Sequence, residues 1–154
     1  MACNAFFSMA EIAILSARRV RLAQLAARPV RGAARALALS RDPTRFLSTV
    51  QTGMTSIGIL SGTVGEATLV GHIRGLVERW PPLAPYAEPV SLVVMVTGLT
   101  YLSIVVGELV PKRLALTNPE LLAARAAPFI DALSRVAAPL VRMLGMSTEA
   151  VLWL

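Results

Sequence analysis

The chain has 154 residues, 55% of them apolar, and a mean hydropathy of +0.65, so it has room for one domain and is more apolar than a soluble fold requires. Its formal charge of +6 is concentrated in one segment that lacks the interleaved aromatics of a nucleic-acid face, which argues against a nucleic-acid partner. Cys3 is the single cysteine, excluding a disulfide framework or a thiolate metal cluster. No nucleophile-and-base pairing with His, His/Cys metal spacing or phosphate-binding glycine loop occurs, so enzyme chemistry is disfavoured.

A helix that crosses the hydrocarbon core needs about 20 apolar residues. Residues 1–17 are mostly apolar, carry Glu11, and begin abruptly, as an N-terminally truncated first span would. Arg18, Arg19 and Arg21 follow. A secretory signal has the reverse order, so a retained helix is expected, its C-terminal end in the cytoplasm and its N-terminus outside. Ile12, Leu15, Val20, Leu22, Leu25 and Ala26 keep helical spacing, which predicts that this helix protrudes beyond the bilayer until Pro29 interrupts it. A short amphipathic helix is expected over 31–39, and Asp42-Pro43 marks a turn in which Asp42 or Thr44 caps the next span. The arginines at 18, 19, 21, 28, 31, 35, 41 and 45, opposed only by Asp42, place segment 18–45 in the cytoplasm.

The second span is expected from the uncharged run 46–65, continuing to about 69. Gly58 and Gly62 form a small-xxx-small pair, suited either to packing within one subunit or to a dimer seam. Residues 71–89 hold Pro81, Pro82 and Pro85 with Trp80 and Tyr86, as an outer loop with interfacial aromatics would; His72 and Glu66 are expected as exposed interfacial side chains. The uncharged run 89–107 gives a third span over about 90–111. Asp131 and Arg135 are one helical turn apart and Arg142 returns to their face. Residues 121–144 therefore predict an amphipathic helix on the cytoplasmic surface, kinked at Pro128 and Pro139, with a fourth span as the alternative. The expected fold is an all-α membrane protein: three transmembrane helices plus cytoplasmic juxtamembrane amphipathic helices.

Chemistry concentrates in Gly107-Glu108-Leu109-Val110-Pro111-Lys112. Pro111 has no N–H, so the carbonyl of Gly107 four residues earlier loses its helical partner beside the Glu108 carboxylate. A carboxylate and a free carbonyl at an unobstructed glycine make an oxygen site for a hard cation. In the first span Ser8 and Glu11 share a helix face, as do Asn4 and Ser8. A carboxylate at membrane depth is costly, about 2.5–3.5 kcal/mol for aspartate, and marks either function or a specific partner. Three structural alternatives stay open: Glu108 pairs with Lys112 one turn on, Ser8 bonds back to its own helix, and Glu11 answers Arg18 or another arginine.

Three blocks taken together, Asn4-Ala-Phe-Phe-Ser8-Met-Ala-Glu11, Asp42-Pro43 through Gly53, and Gly107 through Lys112, resemble the transmembrane domain of the CorC/CNNM family, hemolysin-like proteins associated with CBS domains. The resemblance covers nearly the whole chain and implies that residues 1–154 are that domain, with the CBS pair and C-terminal domain absent. Nucleotide binding is accordingly not assigned. It implies a homodimer in the lipid bilayer of the cell membrane and transport of Mg²⁺ as Na⁺-coupled export, for which alternating access is the expected mechanism. Ser8 and Glu108 match family positions that hold Mg²⁺, Gly107 is added by the proline argument, and Glu11, Gly53 and Pro111 have supporting places. Where the family tends to have an asparagine after the glycine matching Gly53, this chain has Met54 and then Thr55, so Thr55 or Ser56 would supply that oxygen. The rival readings are a non-transporting membrane anchor or sensor for regulatory domains, and a peripheral basic amphipathic protein.

Overall fold

Backbone polar groups away from water must be satisfied internally, and long uncharged runs without breakers do this as helix. A computed structural model describes residues 2–152, and the side chains among them other than those of 65–68, 141, 144 and 149–152. It is helical throughout: α1 (Ala2–Ser16), α2 (Arg19–Ala26), α3 (Ala33–Arg41), α4 (Pro43–Val77), α5 (Ala87–Ile104), a π-helical turn (Val105–Leu109), α6 (Val110–Thr117), α7 (Pro119–Val136) and α8 (Ala138–Leu152).

The run Ala84–Thr117 is continuous over 34 residues and is the one helix among the described residues both long and apolar enough to cross a membrane. Only 17% of its most apolar stretch is buried, so its side chains face outward, as lipid contact requires. At 35 residues α4 is also long enough, about 52 Å, but hydroxyls dilute its apolarity. Those hydroxyls are largely self-satisfied: Ser48 Oγ donates to the Thr44 carbonyl (3.0 Å), Thr52 Oγ1 to Ser48 (2.7 Å) and Thr63 Oγ1 to Leu60 (3.0 Å). The apolar α1 has 15 residues, about 22 Å, less than the core thickness of about 30 Å.

The core surrounds α1. Phe7, Ala10, Ala13 and Ile14 bury against Phe46 and Val50 of α4, Ala115 of α6, and Ala123, Ala126, Ala127 and Ile130 of α7. The alanines let helix axes approach closely, the device used where no hydrophobic effect drives association. Gly53 belongs to the same packing: a Cβ there would stand 2.9 Å from Phe7 Cζ.

Several expected boundaries move. The first helix does not run on to Pro29; it stops at Ser16, Arg18 is extended (φ −72°, ψ 119°), and the Arg18 N–H donates to Glu120 Oε1 on α7 (3.4 Å). The tertiary contact outweighs continued helical spacing. The helix expected over 31–39 is α3, entered through Gly32 at φ +86°, where a Cβ would lie 2.0 Å from the Ala124 carbonyl oxygen. Asp42 caps α4 as expected, accepting from the Arg45 N–H at 3.2 Å. The loop expected from 71 starts at 78, because no proline interrupts 71–77, the helix running through Gly71 and Gly75, and Arg74 Nε pairs with Glu78 Oε1 at 2.8 Å. That hydrogen bond, with the charges of Glu78 and Glu88, holds the Arg74 guanidinium above its ordinary pKa. His72 is exposed near the end of α4, and the Glu66 side chain lies outside the described residues. Segment 121–144 is two helices rather than one kinked helix. Pro128 sits inside α7, and Pro139 sits in the first turn of α8, where its missing N–H has no cost. Asp131 on α7 pairs with Arg135, as its spacing predicts, and also lies 3.7 Å from Arg35 of α3.

Candidate cation site

The π-helical turn carries one extra residue relative to the α register, so the Val110 N–H reaches back five residues to the Val105 carbonyl. Pro111 follows, buried, and offers an N–H neither to Gly107, four residues earlier, nor to Val106, five earlier. The simple proline bend read from sequence is thus a π turn, with Gly107 buried in it. Gly107 faces α1, where a Cβ would stand 3.6 Å from Asn4 Cβ.

Beside this turn α1, α4 and α5 enclose a cavity of about 470 Å³. Asn4, Ser61, Thr100, Ser103, Gly107 and Glu108 give it polar groups, and Leu92, Met95, Val96 and Leu99 form apolar walls. Glu108 meets Lys112 Nζ at 2.6 Å, the pairing that its spacing allowed. Ser8 is fully buried and its Oγ has no hydrogen-bond partner, so it does not bond back to its own helix; the buried Asn4 Oδ1 is likewise unpartnered. Leaving such groups unsatisfied costs about 1–3 kcal/mol each, which marks the Asn4–Ser8 face as built to meet something more than protein. Glu11 is half-buried and makes no ion pair among the described residues, so the expected answer from Arg18 is not formed.

The sequence-derived residues therefore divide. Gly107 and Glu108 line one cavity with Asn4, and Ser8 lies one turn along from Asn4 on the same face of α1. Thr55 and Ser56 are exposed elsewhere, lining a groove of about 360 Å³ with Ser48, Gln51, Thr52 and, from α8, Gly145 and Thr148. The α4 hydroxyl in the Glu108 cavity is Ser61, six residues and about 9 Å further along the helix than Thr55. The sequence reading singled out neither Ser61 nor Thr100 nor Ser103 as an oxygen donor. The spacing of Thr100 and Ser103 to Gly107, three and then four residues, places all three on one face and was the available signal. Gly58 and Gly62 touch nothing within 4 Å at their Cβ positions, so packing within the subunit does not explain that pair; they line the cavity.

Among the described residues no group of three or more His, Cys, Asp or Glu side chains converges as a metal site would. A cation here would be met by one carboxylate, an amide, hydroxyls and carbonyls, a set that suits an ion retaining most of its water.

The chain matches the cyclin M transmembrane N-terminal domain over residues 1–154. It is 53% identical over 149 residues to UPF0053 protein sll0260 of Synechocystis, covering 97% of this chain and 33% of that protein. It is similar to the polyamine export protein of Haemophilus influenzae, 33% identical over 125 residues, 78% of this chain and 28% of that protein. To UPF0053 protein YhdP of Bacillus subtilis it is 29% identical over 149 residues, 97% of this chain and 34% of that protein. The chain spans about a third of the length of these relatives.

Proposed function

This chain belongs to the cyclin M (CNNM) transmembrane-domain family and is a membrane protein, and from that premise we propose that it carries Mg²⁺ across the bilayer, as Na⁺-coupled export by alternating access in a homodimer. The topology proposed has α1, α4 and α5 through α6 in the three spans, the N-terminal end of α1 directed outward, and the arginine-rich 18–45 segment with α7 on the cytoplasmic surface. The observation that carries the reading is the meeting, in one cavity, of Glu108 and the proline-interrupted Gly107 backbone with the unpartnered Asn4 side chain, the unpartnered Ser8 lying one turn along on the same face of α1. Glu108 supplies charge, Asn4, Ser8 and Ser61 orient a partly hydrated ion, and the π turn is where the helix changes shape.

In the state described here, Lys112 Nζ holds Glu108. This tethered ammonium stands in for a bound cation, so an arriving ion must displace it. Sodium competes for the same oxygens. A second reading takes the cargo as a polyamine. It is favoured by the apolar walls at Leu92, Met95, Val96 and Leu99, which suit methylene chains, and by relatives named polyamine export protein.

The test is flux from liposomes containing the purified chain, with Mg²⁺ or a polyamine as cargo, with and without a Na⁺ gradient, comparing wild type with Glu108→Gln. Mg²⁺ flux that follows the Na⁺ gradient and falls at least tenfold in Glu108→Gln supports the first reading. Polyamine flux with the same Glu108 dependence and no Mg²⁺ flux supports the second. No flux of either from a folded dimer returns the chain to the anchor or sensor role.

A further inference from the structure

Where α1 meets α7, a second hollow of about 600 Å³ is walled by Phe6, Phe7, Ile57, Phe129 and Leu133, with Arg125 and Cys3 at its edge. The rings brace one another: Phe6 and Phe129 stand edge to face at 5.2 Å, and Phe6 and Phe7 at 5.9 Å. Its depth follows from packing already described. The helix α7 runs back along α1 from Glu120, beside the Arg18 N–H, to Phe129, against Phe6, which puts Arg125 between those contacts, on the Arg18 side of the trough. On the membrane placement proposed above, Arg125 therefore faces the cytoplasmic headgroups and the phenylalanine trough lies deeper in the same leaflet.

Arg125 is exposed and makes no ion pair or hydrogen bond among the described residues. The nearby acids are occupied: Asp131 by Arg35 and Arg135, and Glu120 by the Arg18 N–H. We propose that this hollow is a site for an anionic phospholipid of the bilayer, one acyl chain lying along the phenylalanine trough and the phosphate held by Arg125. An arginine fork matches phosphate oxygens, and the basic 18–45 segment on the same side draws anionic lipid to this leaflet. A second copy of the chain is a poorer occupant. The patch has no acidic side chain, so two-fold docking would bring two Arg125 groups into one apolar seam with nothing to answer them.

Cys3, the sole cysteine, is exposed at the edge of the hollow and reports its occupancy. The chain is placed in nanodiscs of phosphatidylcholine, with or without phosphatidylglycerol, and alkylation of Cys3 by an uncharged maleimide is timed. Phosphatidylglycerol is expected to slow alkylation several-fold. Arg125→Gln abolishes the difference, Arg113→Gln retains it, and glycerol phosphate without acyl chains gives no protection. Equal rates in the two lipids overturn the proposal, as does protection that survives Arg125→Gln or is lost equally in Arg113→Gln. Protection by glycerol phosphate would mean a bare anion site, and Cys3–Cys3 cross-linking that rises with protein density would mean a second copy; either outcome also overturns it. The readout needs no transport, so failure here is distinct from failure of the Mg²⁺ reading.

Discussion

The helix α1 and the span running from α5 into α6 are both apolar, yet they use that character in opposite ways. In α1 the apolar residues are small and face protein: Ala10 and Ala13 are fully buried, with Ile14 beside them. In α5 they are large and face outward, with Val93 63% exposed and Val94 50%. A hydropathy profile scores the two as relatives, but one is a hub whose polar residues must be matched and the other is a lipid-facing wall. That difference explains why the unpartnered Asn4 and Ser8 lie on α1, since a helix enclosed by others can aim a polar group into an interior.

The sharpest way to break the contrast is through the belt that holds α1. Gly32→Ala forces a side chain at positive φ to within 2.0 Å of the Ala124 carbonyl, separating α3 from α7; a loss on the order of 4 kcal/mol is expected in detergent unfolding. Ala13→Leu overfills the hub and should cost about 1–3 kcal/mol, whereas Val93→Leu on the outward wall should fall within about 0.5 kcal/mol of wild type in the same assay. Equal effects at the two sites would remove the distinction. Gly53→Ala should cost about 1–2 kcal/mol, the clash with Phe7 exceeding the gain in helix propensity. Ser8→Ala removes an unsatisfied hydroxyl, so cation-free protein should gain about 1 kcal/mol while Mg²⁺ affinity by calorimetry falls. Lys112→Met should have a small effect: its pair with Glu108 is partly exposed, so releasing it changes stability by less than about 1 kcal/mol and raises cation affinity a few-fold.

Much of this arrangement was legible from residues whose chemistry acts locally. The Asp42 cap, the Asp131–Arg135 pair and the place of Pro111 next to Glu108 each depend on neighbours within five residues. What failed depends on partners distant in sequence. The break at Arg18 is held by Glu120, and Gly32 is required by Ala124, neither of which sequence spacing reveals. Thr55 and Ser56 were reasonable oxygen donors by type. Whether α4 presents them or Ser61 to Glu108 is set by how far α4 slides along α5, which no periodicity encodes. The π turn was half legible: the proline announces a lost hydrogen bond, but not that the chain would respond by inserting a residue.

Were that inserted residue to travel, the change would be local. Satisfying the backbone one turn higher would leave both ends of the helix in place and rotate only the stretch between old and new positions, by about 100° with a rise of about 1.5 Å. Ser103 would swing out of the cavity while α6 kept its seat on α1, so a wandering defect would serve as a valve stem in a helix whose ends never move.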